Sequence, residues 1–144
     1  MTRPCAIALL LTASGCAYSV QGAVFRTREA ETAFARAVKA VEAHCNGVRF
    51  TNPDAQVVTS HWRVFHSRDG AFLGRCQVAV IKAADELGAD VRVAVTLKQC
   101  PLIDLADVDA VGDSAACEIT FSMPGEVATG QQDAVRKVEY DVRR

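Results

Sequence analysis

The residues able to do chemistry in this chain are few and poorly grouped. Its histidines are His44, His61 and His66. His61 and His66 are five apart, so on a strand they project to opposite faces and cannot share a metal. His44 falls near the end of a helical pattern, where contact with the helix dipole explains it better than catalysis does. Ser60 and His61 are neighbours in sequence, which is not the spatial arrangement a nucleophile and its base need. No two of the later cysteines have the Cys-x-x-Cys spacing of zinc or thioredoxin-type sites. The chain has no Gly-x-Ser-x-Gly elbow, no phosphate loop and no His-Glu-x-x-His pattern. One run is acidic: Asp104, Asp107, Asp109 and Asp113. Asp107, Asp109, Gly112 and Glu118 fit positions one, three, six and twelve of a calcium loop, but position five is Val111, whose side chain offers no oxygen. The run therefore reads as a solvated acidic loop. These residues predict a protein that is not an enzyme and that uses neither a metal nor a cofactor.

The first residues carry a stronger message. A lone arginine, Arg3, precedes the apolar run 6–12, and the tetrad Ala13-Ser14-Gly15-Cys16 follows. That is the layout of an export signal ending in a lipid-attachment cysteine. In these residues the chain resembles the bacterial lipoproteins, whose lipobox reads roughly Leu-Ala/Ser-Gly/Ala-Cys, with Ala13 here in place of the leucine. The resemblance implies a signal peptide over 1–15, a diacylglycerol on the Cys16 sulfur and acylation of the new amino terminus. Ala17, where an aspartate would imply inner-membrane retention, implies delivery to the outer membrane with the domain facing the periplasm. The alternative is an ordinary cleaved signal and a soluble periplasmic or secreted product. Each buried methylene of an acyl chain contributes about 0.8 kcal/mol, so two or three chains hold where one does not.

Export changes the reading of the cysteines. Cys5 would leave with the signal and Cys16 would carry lipid, which leaves Cys45, Cys76, Cys100 and Cys117. An even number in an exported domain reads as two disulfides. Cys45 at the end of one helical stripe and Cys76 on a strand favour one bond between layers. Cys100–Cys117 would then pinch the base of a long connection. Cys76–Cys100 with Cys45–Cys117 is the rival pairing.

The elements that position these residues follow from hydrophobic period. Residues 16–26 read as a lipidated tether, and 27–144 as a single disulfide-braced domain. Thr27 can cap a helix whose stripe is Ala30, Phe34, Ala37, Val38, Val41 and Cys45, with Asn46-Gly47 as its stop. Strands are predicted over 56–65, around Cys76, Val78 and Val80, over 91–97, and over 117–121. Residues 76–87 also fit a helix, and a helix around Ala134, Val135, Val138 and Val142 has a strand over 138–142 as its rival. The predicted class is α+β: an N-terminal helix, an antiparallel sheet of about four strands and a C-terminal helix. That order resembles the helix-grip arrangement of lipoproteins attached to the outer-membrane barrel-assembly machinery, in element order alone.

Half of the residues are hydrophobic, and the 16 basic residues nearly balance the 17 acidic ones. That suits a packed core and leaves no basic face for nucleic acid. The expected function is a non-catalytic, lipid-anchored envelope protein that binds or scaffolds another envelope component, with Trp62 and Phe65, whose default reading is core packing, as the possible partner surface. The alternative is a small-molecule or lipid carrier with a cavity between the first helix and the sheet.

Overall fold

The alternating runs around Cys76 and Val93 dictate the centre of the fold. A computed structural model describes residues 19–68, 70–83, 88–101 and 106–143. The expected signal peptide over 1–15, Cys16, residues 17 and 18 of the expected tether, residues 84–87 and Asp104 lie outside the described residues. Two long strands, β5 (Gly70–Lys82) and β6 (Ala89–Cys100), pair antiparallel from Ala71 opposite Cys100 to Lys82 opposite Ala89. Residues 76–82 are thus strand; their β-branched members Val78, Val80 and Ile81 suit a pleated surface better than a helix.

Five short strands flank this pair. They are β1 (Ala23–Thr27), β2 (Val48–Asn52), β3 (Val57–Ser60), β4 (Arg63–Ser67) and β7 (Glu118–Ile119). The order is β1-β6-β5-β3-β2, with β4 on β5 and β7 on β6. Every pairing is antiparallel. The fold is α+β, but its sheet has seven strands where the sequence predicts about four.

The additional strands have identifiable causes. Residues 23–26, predicted as tether, and Thr27 pair with β6 because Phe25 and Thr27 find a buried place facing the helices. Thr27 consequently ends a strand and does not cap α1 (Ala30–His44); its hydroxyl accepts from Arg36. Val48–Asn52 extends the sheet directly after Asn46 and Gly47, whose positive φ angles stop α1 as expected. The predicted strand over 56–65 is two strands: Thr59 opposes Gln77 whereas Arg63 opposes Gly74. Three residues of one strand thus oppose two of the other, a one-residue bulge at 60–62.

Two helices cover one sheet face. The stripe of α1 and that of α3 (Gly125–Arg143), which begins after Pro124, pack on each other and on β5, β6 and β1. Cys76, Val78, Val80, Val91 and Val93 meet Ala33, Ala37, Val41, Val135 and Val138 in one buried cluster. Small residues on α1 bring its axis close to the sheet, so the layer between them is filled. Among the described residues, the opposite face is covered only at one end, by Trp62 and the short helix α2 (Val108–Asp113).

Candidate functional site

The bulge at 60–62 reverses strand parity, and this aims Trp62 at the face opposite Val58. The backbone groups it releases are all taken up. Cys76 N–H donates to the Ser60 hydroxyl at 3.0 Å, and His61 N–H to Gly47 C=O at 3.1 Å. Trp62 N–H donates to Asp109 Oδ1 at 2.9 Å, while Trp62 C=O accepts from Asn46 Nδ2 at 3.1 Å. Each buried donor kept paired avoids a cost of about 1–3 kcal/mol.

Trp62 is then enclosed. Its indole lies beneath the Arg75 guanidinium, 4.6 Å from the ring centre, with Lys98 Nζ at 5.5 Å. Gly112 of α2 lies against the ring so closely that a Cβ there would stand 2.5 Å from Cδ1. Indole Nε1 donates to Asp113 Oδ1 at 3.0 Å, and Asp113 also pairs with Arg49 at 2.6 Å and Arg75 at 3.7 Å. Asp107 caps α2 by accepting from Ala110 N–H, and Lys98 binds the carbonyls of Gly112 and Ser114 at its other end. The disulfide Cys100–Cys117 closes the loop that carries α2, as the sequence expectation had it.

Asp107, Asp109 and Asp113 of the acidic run therefore fasten α2 and are not a solvated loop. Asp109 also meets His61 Nδ1, at 2.6 Å. Burial pushes Asp109 up, but the Trp62 amide and His61 hydrogen bonds outweigh it and hold the carboxyl below its ordinary range. Asp113 is held below that range by the indole N–H first and then, against burial, by Arg49 and Arg75. Asp109 has two partners, the Trp62 amide and His61, and Asp113 has three, the Trp62 indole, Arg49 and Arg75, so both carboxylates serve the protein's own groups. Among the described residues, no group of three or more His, Cys, Asp or Glu could hold a metal.

The other sequence-predicted residues fall elsewhere. Trp62 is only 2 % exposed, so it is a core residue and not a partner surface. Phe65 is half-buried on the helix side, opposite Phe72 and against Gly130 of α3. The bulge explains both corrections, because it delivers each ring to a covered face. Cys45 and Cys76 come together in the core as the pairing expectation required, but as thiols and not as a disulfide. Cys76 hydrogen-bonds Cys45, and this bond, followed by burial, pushes the Cys45 thiol far up. Buried Gln131 of α3 donates to Cys76 Sγ at 3.4 Å. His44 contacts Asp141 of α3 at 2.7 Å, so it ties two helices together beyond any dipole contact.

Sequence reasoning missed one surface. Along the outer edge of β6, β1 pairs with Ala89–Val93 and β7 with Lys98 and Gln99. The edge between them borders an open groove of about 320 Å³ lined by Val20, Val95, Leu97 and Met123, with Ser19 at its wall. Ile119 and Phe121 stand on its rim, 61 % and 84 % exposed. The signal was present in the apolar alternation of 117–121. What the sequence could not say is that β7 would end after two residues and leave Phe121 uncovered. No protein-family model matches this chain, and no curated protein is significantly similar to it.

Proposed function

We propose that this chain is a non-catalytic, lipid-anchored lipoprotein of the cell envelope whose domain binds or scaffolds another envelope component. Arg3, the apolar run 6–12 and Ala13-Ser14-Gly15-Cys16 support the anchor. With Cys16 acylated, the domain is held at the periplasmic side of the outer membrane. Docking is favoured over carriage by the interior between α1 and the sheet. Ala33, Ala37, Val41, Val58 and Val78 close it, whereas a carrier needs a void of roughly 300 Å³ or more.

One observation carries the docking reading: among the described residues, the sheet face away from α1 and α3 is covered only where α2 lies. By register, Val24, Ala79, Ala94 and Phe50 share the remainder of that face. Val24 and Phe50 are 75 % and 53 % exposed there, apolar side chains set among the exposed polar Gln77 and Arg92, a mixed surface of the kind a protein partner can cover. The partner surface thus moves from Trp62 and Phe65 to the open half of the sheet.

A photo-crosslinking residue at Phe50 tests this in intact cells. The expected result is a reproducible adduct with one envelope protein from position 50, and none from exposed Tyr140 on α3. Equal labelling from both positions, or none from Phe50, would reject the docking face. Mass spectrometry of the amino-terminal peptide tests the anchor separately, through the mass of an acylated Cys16.

A further inference from the structure

The groove on the β6 edge and the anchor cysteine are constrained to the same end of the molecule. Ser19 forms one wall of the groove and Cys16 is three residues upstream. Three residues of fully extended chain reach at most about 11 Å. A domain of this size is roughly 35 Å across. The acyl-bearing residue is therefore held within about a third of that diameter of Ser19, which lines the same groove as Ile119 and Phe121.

We infer that the Ile119–Phe121 rim is the membrane-contacting face of the anchored domain, with the acyl-chain region of the host bilayer as its occupant. This rests on acylation of Cys16. Three observations point to the bilayer. The rim side chains are large, apolar and in water, and they stand beside an open apolar groove. The groove faces outward from a sheet edge, where a planar partner can reach it without displacing any packed element. The only covalent connection to the proposed anchor emerges there. With the anchor setting the distance, burial of Phe121 sets the orientation of the domain. An aromatic ring at the interface level is a common anchor of this kind.

The test uses the full chain, matured in a bacterial envelope, purified and reconstituted into phosphatidylcholine vesicles with brominated acyl chains. Phe121→Trp places a reporter on the rim, and the exposure of Phe121 makes the exchange neutral for folding. Native Trp62 is buried and supplies the background, read from the unsubstituted protein. Bromolipid should quench the added Trp emission by about twofold or more and leave Trp62 nearly unchanged. Its accessibility to aqueous acrylamide should fall by a similar factor. If the mass shows Cys16 acylated and the added Trp stays unquenched by bromolipid, the membrane face is wrong while the anchor stands. Protection from acrylamide without bromolipid quenching overturns it too, because that is the signature of a second copy or another protein on the rim. A mass showing Cys16 unmodified overturns the anchor, and the inference falls with it.

Discussion

Gly112→Ala sets two physical effects against each other, and the structure decides the sign. In the interior of a helix, Ala is favoured over Gly by about 1 kcal/mol. At this position the new Cβ would stand 2.5 Å from Trp62 Cδ1 and 2.6 Å from Cγ and Nε1. These atoms belong to the root of the indole, which Arg75 and the bulge hold in place, so the ring cannot swing aside. Overpacking of this kind costs roughly 1–3 kcal/mol. Displacing α2 also puts the Nε1–Asp113 hydrogen bond at risk, worth about 1 kcal/mol once its partial exposure is allowed for. The net expectation is a loss of about 1–2 kcal/mol, or roughly 5 °C in Tm for a domain of this length. Trp62 is the only tryptophan, so its emission reads the site directly and should shift to the red, while circular dichroism reports Tm. Gly130→Ala is the control. Its Cβ would meet only the half-buried Phe65 ring, at 3.1 Å, so helix propensity should prevail and stability should hold or rise by up to about 1 kcal/mol. A stabilised Gly112→Ala protein with unchanged Trp62 emission would refute the clamp.

Three further outcomes are expected. Replacing Cys100 and Cys117 by serine opens a loop of 17 residues' separation and should cost about 3 kcal/mol in denaturant unfolding, with the loss absent when the parent is reduced. Asp109 and Asp113 have folded pKa values lowered below the ordinary range, so their contribution is full above that range, about pH 4, and is lost as pH falls through the lowered values. Trp62 emission should therefore be flat near neutrality and change only in acid, and Asp109→Asn should remove part of that acid dependence. Cys45 and Cys76, buried and with the Cys45 thiolate suppressed, should resist alkylation in the native protein and react only after unfolding, with Cys100 and Cys117 protected throughout. Rapid native labelling of Cys45 would contradict its place in the core.

Much of the framework was legible from local pattern. The stripe of α1, its Asn46-Gly47 stop, the alternation of Val91, Val93 and Leu97 and the core face of Cys76, Val78 and Val80 are properties of period, and period is written residue by residue. The Cys100–Cys117 bond followed from their flanking one connection. The adjacency of Cys45 and Cys76 followed from the faces they occupy. Net charge likewise needed no coordinates to be read.

The tertiary structure alone decided where parity breaks. A one-residue bulge at 60–62 has no periodic signature, yet it sends Trp62 to α2 and Phe65 to α3, and so buries the first and half-buries the second. Short strands such as β1 and β7 form because β6 offers a long edge to pair with, not because their own few residues demand it. The acidic run became the α2 clamp only when folding brought Arg49, Arg75, Lys98 and His61 to it from four separate segments. Periodicity is a local quantity carried by each stretch of chain. Which edge is left open, and which carboxylate meets which cation, are properties of contacts between distant residues, and no stretch carries them by itself.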